Sequence, residues 1–396
     1  MFGGVSIGSR VGSRFSARFW ASLVAASVAG TAIVAACSIY DSSLLISSEA
    51  GVADGGDGGA DVDLCKAPGW PQRPDKDDPG GPDVEFYNAV NTLDFNASPD
   101  AGPPSIGFNL DGFCTCPDVE SCKSGDAAPA HCDGKNGLDN SGAALIRQFS
   151  SSQGFFDQAY INDQIAKGVF GALIRVRGYN GMPNDTKVEL AVFVSNGTEG
   201  IQVNSPKPVK QDGTDKWTLD PTSLKGGALA DGGTPVALYE DPNAYVRDGV
   251  LVGTLNFPLS IGAGNGEGLV TLELSGSVVA AKLTKVGSAF KATGVIGGRW
   301  PARKLLTTLA VLRDPLDPTK TQHLCGPNPT YQALKDRVCS FADISGNLLE
   351  DGKNAPCDSL SIGFGFESIP AGYGNTWPKP DSGFPCGPQW TDDCAQ

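Results

Sequence analysis

The sequence predicts a mainly β protein: an antiparallel β-sandwich or jelly-roll-like core, a few flanking α-helices, and disulfide-stapled, loop-rich ends. Three observations carry that reading. Apolar residues alternate with polar ones in Ile174-Arg175-Val176-Arg177, in Val188-Glu189-Leu190-Ala191-Val192-Phe193-Val194 and in Val270-Thr271-Leu272-Glu273-Leu274-Ser275, as strands with one buried face require. The 52 glycines and 28 prolines separate such runs at turn-like intervals. Cysteines avoid the centre: Cys65, Cys114, Cys116, Cys122 and Cys132 precede it, and Cys325, Cys339, Cys357, Cys386 and Cys394 follow it.

Residues 65–133 are rich in Pro, Gly and Cys, lack periodicity and read as Cys-rich loops. Residues 139–167 place Ala144, Leu145 and Phe149, then Phe156, Tyr160, Ile161 and Ile165, at helical spacing, so one or two helices are expected. From about 169 the period becomes two, with further short strands expected near 235–254, 277–286 and 289–299. The run Gly262-Ala263-Gly264-Asn265-Gly266-Glu267-Gly268 has the glycine content of a phosphate loop. It lies between the apolar Phe257–Ile261 and the strand from Val270, with neither a helix N-terminus nor a Lys to meet a phosphate, so it reads as a hairpin connection. Pro301 opens a helix over Ala302–Leu312, with Leu305, Leu309 and Leu312 on one face. Asn328-Pro329 forms a cap-and-N1 pair for Thr330–Phe341, whose face is Leu334, Val338 and Phe341. From Ala371 the chain returns to Gly, Pro and aromatics. The β-rich core is thus put at 134–324 and a Cys-rich C-terminal segment at 325–396, within one folded region from 65 to 396.

Ahead of that region Arg10, Arg14 and Arg18 precede the apolar run Phe19–Ile33, which leads into Val34-Ala35-Ala36-Cys37. The run is mostly Ala and Val and carries Ser22, Ser27, Gly30 and Thr31, a weak candidate for the roughly 20 apolar residues of a membrane span. A basic start, an apolar stretch, small residues and a cysteine together resemble the signal peptide and lipobox of bacterial, Gram-negative lipoproteins. The resemblance stops there, and implies that residues 1–36 are removed and that Cys37 is acylated, with palmitate among its chains. Ser38, rather than Asp, behind the cysteine implies delivery to the outer membrane. The membrane would be touched only through the lipid on Cys37, since several acyl chains make attachment durable where one is marginal. Residues 37–64 then form a linker; its Gly/Asp-rich part cannot bury a core and, over the 18 residues from Ile46 to Asp63, spans about 25 Å as a coil.

The formal charge of −14 becomes −17 without Arg10, Arg14 and Arg18, leaving 27 basic against 44 acidic residues. Such a surface repels nucleic acid, which is excluded as a partner. With Cys37 spent on lipid, ten cysteines remain for disulfides in an exported protein. Each group holds five, so full pairing requires at least one bridge between the groups, and the two end segments must meet. Structural zinc asks for tight C-x2–4-C or H-x3–5-H pairs, which Cys114, Cys116, Cys122, His131 and Cys132 do not supply.

Chemistry-bearing motifs are few. Of the two histidines, His131 and His323, neither belongs to a recognisable hydrolase motif, so the chain is read as a non-enzyme. Asp133, Asn136 and Asp139 lie in an Asp/Asn/Gly-rich stretch that resembles calcium loops of extracellular proteins, making calcium the one cofactor the sequence suggests. Lys135 and the lack of a closing Glu depart from the EF-hand pattern, and Asn140 or Ser141 serves equally as a helix cap. Trp377 and Trp390, with Tyr373 and Phe384, either offer a platform to a sugar ring or pack the tail against the sheet. The expected role is therefore surface binding or scaffolding by a lipid-anchored envelope protein, with an envelope glycan or protein as partner. The alternatives are a carbohydrate-binding module and a secreted glycan hydrolase with paired carboxylates.

Overall fold

A computed structural model describes residues 65, 69–96, 105–116, 121–124, 131–153, 156–200, 208–230, 233–262, 269–319, 321–378, 385–387 and 390–394. The proposed leader, Cys37, the linker through residue 64 and Phe384 lie outside them.

Eight strands form the framework. They are β1 (Val84–Asp94), β2 (Gly171–Tyr179), β3 (Asp185–Ser195), β5 (Tyr239–Arg247), β6 (Val250–Gly262), β7 (Leu269–Val286), β8 (Ala289–Pro301) and β9 (Ser359–Pro370). Each pairs antiparallel with its neighbour in that order, and β9 returns to β1, so the two faces of the sandwich-like sheet belong to one closed barrel. Two short strands outside the ring, β4 (Lys216–Leu219) and β10 (Gly372–Thr376), pair in parallel with each other. The mainly β antiparallel class stands. Two boundaries move, because β1 comes from the stretch read as Cys-rich loops and β9 from the C-terminal Cys-rich segment. Without them the ring could not close.

The insertions sort by barrel end. One end carries tight turns: β2–β3, β5–β6 and β7–β8 are joined by 180–184, 248–249 and 287–288. The other end carries everything long. There α1 (Ser141–Gln153) and α2 (Gln158–Ala166) lie between β1 and β2, and α3 (Ala302–Leu309) and α4 (Pro329–Ser340) between β8 and β9. The helix starts follow their local chemistry. Asn140 accepts from Ala143 N, Asp157 from Tyr160 N and Asn328 from Tyr331 N, each satisfying an orphan donor of the first turn. The expected helix over 302–312 ends earlier, at Leu309.

The lumen is packed. Inward residues such as Val90, Ile174, Leu190, Phe257 and Ile296 leave a void of only about 10 Å³, too little for a ligand. Leu145, Phe149, Ile161, Ile165, Leu305 and Leu309 of the helices continue that core at the long-loop end. Phe290, tilted against Phe86 at 5.1 Å and edge-to-face with Tyr179 at 5.4 Å, belongs to the same core beside the tight-turn end. Much of the outer face is buried as well. Ile106, Phe108 and Trp70 cover Val250, Val252, Val278 and Val295, while Trp217 and Leu219 of β4 cover Leu173 and Phe193. Close contact there needs glycine: a Cβ on Gly171 would stand 2.7 Å from the Trp217 ring.

Five disulfides fasten the ends: Cys65–Cys114, Cys116–Cys132, Cys122–Cys357, Cys325–Cys386 and Cys339–Cys394. Cys122–Cys357 is the bridge between the two groups that their odd membership demanded.

Candidate functional site

The Asp133–Asn140 stretch folds as a small hairpin on the outer face of β8 and β9. Gly134 N–H donates to Leu138 O at 2.8 Å, and Asn136 and Gly137 turn the chain with φ of 64° and 73°. Asn136 is therefore an exposed turn residue at the tip. Asp133 and Asp139 are brought together, the Asp139 side chain lying within hydrogen-bond reach of Asp133. Thr115 N–H and Leu110 N–H donate to their carboxylates, each at 2.5 Å. Burial, followed by the nearby Asp111 and Asp343, pushes Asp139 well above the usual carboxylate range. Burial is also the first cause of the rise at Asp133, to about 7. Two buried carboxyls so placed disfavour ionisation of each other. Among the described residues no three His, Cys, Asp or Glu side chains gather in metal-ligating geometry.

The surroundings of this pair are structural. Asp343 accepts from Ser141 Oγ at 2.7 Å and from Ser361 N and Oγ at 2.7 and 2.5 Å, tying α1 to β9. Asn140 donates to Ile106 O and Gly363 O and accepts from Gly363 N, stitching the N-terminal segment to the same strand. The buried Arg299 guanidinium grips Asp351 with two bonds of 2.8 and 2.6 Å and also donates to Leu110 O and Ser345 O. His131 stacks on Phe341 at 4.3 Å, and its Nε2 meets Ser340 O. The contacts Ser141–Asp343, Asn140–Gly363, Leu110–Arg299 and His131–Phe341 each join an N-terminal to a C-terminal piece of chain, as does Cys122–Cys357. The arrangement is a seam.

An accessible concave surface lies elsewhere, where β5 parts from β6. The two strands pair only over Tyr245–Arg247 with Val250–Val252, and beyond that β6 runs on with β7 alone as its partner. A depression of about 410 Å³ opens there, lined by Tyr239, Asn256, Pro258, Glu273, Ser275 and Lys304. A second, of about 220 Å³, shares Pro258 and continues past Ser260 and Thr271 to Asp220, Thr222 and Pro378. The outer-face alternation of β6 and β7 supplies its polar floor, because their inner residues Phe257, Leu259 and Leu272 fill the lumen. Lys304 Nζ and Glu273 Oε2 pair at 2.7 Å. Asp220 accepts from Thr222 N and Asn196 Nδ2, so its carboxylate is held in place.

The three tail aromatics among the described residues part company. Trp377 stands 55 % exposed, one residue before Pro378 of the second depression, and its carbonyl shares the Asn196 amide with Asp220 of the same depression. Its backbone is pinned on both sides, N–H to Leu219 O at 2.9 Å and O from Asn196 Nδ2 at 2.8 Å. Trp390 packs edge-on against Tyr331 of α4 at 5.3 Å, and Tyr373 against Tyr87 at 5.0 Å. The tail thus presents one indole and packs the other. Sequence reasoning missed the groove entirely, because its walls come from β5, β6, β7, α3 and the tail. Compared with known protein families, with curated proteins and with solved structures, the chain finds no match.

Proposed function

We propose that this chain is an exported, lipid-anchored envelope protein. Residues 1–36 are its cleaved leader, Cys37 its acylated N-terminus, residues 37–64 its tether, and the stapled barrel a rigid module for binding or scaffolding at the outer membrane. The observation that carries this reading is the cysteine accounting. Five disulfides use all ten cysteines from Cys65 to Cys394, leaving none of the chain's eleven to pair with Cys37. So many bridges suit an oxidising compartment, and a lone cysteine behind small residues suits a lipid attachment site. A binding role is supported over hydrolysis by the shallow groove, whose carboxylates Asp220 and Glu273 are already engaged by neighbours.

Expression of the full chain in a Gram-negative host with an alkyne-bearing fatty acid tests this. Wild type should incorporate the label and lose the first 36 residues, and the C37A variant should do neither. An unlabelled wild type, or cleavage at another position, would overturn the reading.

A further inference from the structure

We infer that the groove beside Trp377 binds an uncharged oligosaccharide, with one sugar ring stacked on the Trp377 indole and the chain hydrogen-bonded along the outer faces of β6 and β7. The inference rests on the envelope-binding role proposed above and names its ligand class.

Three properties of the groove lead there. First, the Trp377 indole is exposed while its backbone is held by two hydrogen bonds, so the main chain that presents it is ordered before any ligand arrives. Preorganisation of that kind lowers the ordering cost of binding. A flat aromatic face suits the C–H-rich face of a pyranose, an amphipathic surface like its own. Second, the two lobes follow one another through Pro258, which suits a linear chain of rings better than one compact molecule. Their walls carry the Ser260–Thr271 hydroxyl pair, the Asn256 amide NH2 left over once its Oδ1 has accepted from Gly276 N–H, the Thr222 hydroxyl oxygen, and the half-exposed Glu273–Lys304 pair, whose remaining lone pairs and N–H groups are open to solvent. Sugar hydroxyls both donate and accept, and this mixed set meets both needs. Third, the charge balance disfavours an anionic glycan. Lys304 is neutralised by Glu273, Asp220 adds a further carboxylate, and the mature chain as a whole is strongly acidic.

An extended peptide added to β6 is the competing occupant. The edge is poorly suited to it. Thr254 N–H, on the side facing β5, is already taken by Asp241 Oδ2 at 2.8 Å. Backbone alternation points Asn256, Pro258 and Ser260 the same way, and Pro258 has no N–H to give. A strand added there would meet a broken ladder, whereas a sugar chain needs no ladder.

The full-length protein, purified in detergent, would be titrated by calorimetry and tryptophan fluorescence. The probes are neutral gluco-, xylo- and chito-oligosaccharides of four to six units (~20–30 Å when extended), with a polyuronate and an extended hexapeptide library as comparators. At least one neutral oligosaccharide should saturate the protein and change its indole emission. W377A should weaken that binding at least about tenfold, and N256A several-fold, with the thermal midpoint of W377A unmoved because the indole is exposed. Binding unaffected by W377A, no neutral oligosaccharide bound at millimolar concentration, or preference for polyuronate or peptide would each overturn the inference. The acylation of Cys37 is read by mass on the same preparation, so failure here is distinguishable from failure of the anchor.

Discussion

Replacing Cys122 and Cys357 together by alanine severs the bridge that joins the two ends of the chain. The residues are 235 apart in sequence, and none of the other four bridges shortens that path appreciably. Loop-closure entropy grows as 1.5R ln n, so a cross-link closing a loop of that length removes ~18 cal/mol/K from the unfolded ensemble, or ~5.5 kcal/mol at 25 °C. The same relation gives ~4.2 kcal/mol for Cys339–Cys394, whose separation is 55. Against the 5–15 kcal/mol typical of a folded domain, roughly, either loss is large. Guanidinium unfolding of the oxidised full-length protein, followed by circular dichroism, should show the C122A/C357A pair as the more damaging of the two. A loss under ~1 kcal/mol, or a larger loss for C339A/C394A, would refute the argument that the long loop dominates.

The Asp133–Asp139 pair makes the seam sensitive to pH. Both carboxyls are raised above their ordinary 3.8, Asp133 to about 7, so the fold prefers them protonated. The stability that Asp133 contributes is fully present below pH 3.8 and is lost as pH rises through about 7. Discounted for the partial exposure of Asp133, the loss is about 2 kcal/mol, and a thermal midpoint that stays flat or rises from pH 5 to 8 would contradict it. Asp351→Asn leaves the Arg299 guanidinium buried without its counter-charge and should cost ~3–5 kcal/mol in chemical unfolding. Gly363→Ala would put a Cβ 2.5 Å from Gly107 Cα and 2.6 Å from Ile106 O, so a loss of at least ~1–3 kcal/mol is expected from the same assay.

Legibility of the elements followed the strength of their local signals. Ile174 and Val176 point inward and Arg175 and Arg177 outward to Glu189, as the alternation of β2 and β3 implies. Asn328-Pro329 caps α4 where the pair predicted it. By contrast, β1 was hidden, since Asn88 and Asn91 interrupt its apolar residues and the register slips between Val90 and Thr92. Its Asn88 belongs in the lumen, where Nδ2 reaches Ser368 Oγ at 3.3 Å. The strand β9 carried a usable signal in Leu360, Ile362, Phe364 and Phe366, whose intervening Ser and Gly residues let other segments approach closely. Position in a Cys-rich stretch obscured it.

Of the proposed site residues, the ten cysteines could be assigned to disulfides by count, and one bridge between the groups by parity. Their partners could not, because pairing depends on which loops the barrel brings within bonding distance. Asp133 and Asp139 looked like two ligands of a loop; the fold turns them into a buried carboxyl pair among Asp111, Asp343 and a seam of hydrogen bonds. Trp377 and Trp390 looked equivalent, and only the docking of the tail separates an exposed indole from a packed one. Local pattern, acting over a few residues, sets strands, caps, charge and cysteine parity in this chain. Ring closure and the seam arise from contacts between residues as far as about 280 positions apart, and the groove from segments as distant as Asp220 and Pro378, separations that no local pattern encodes.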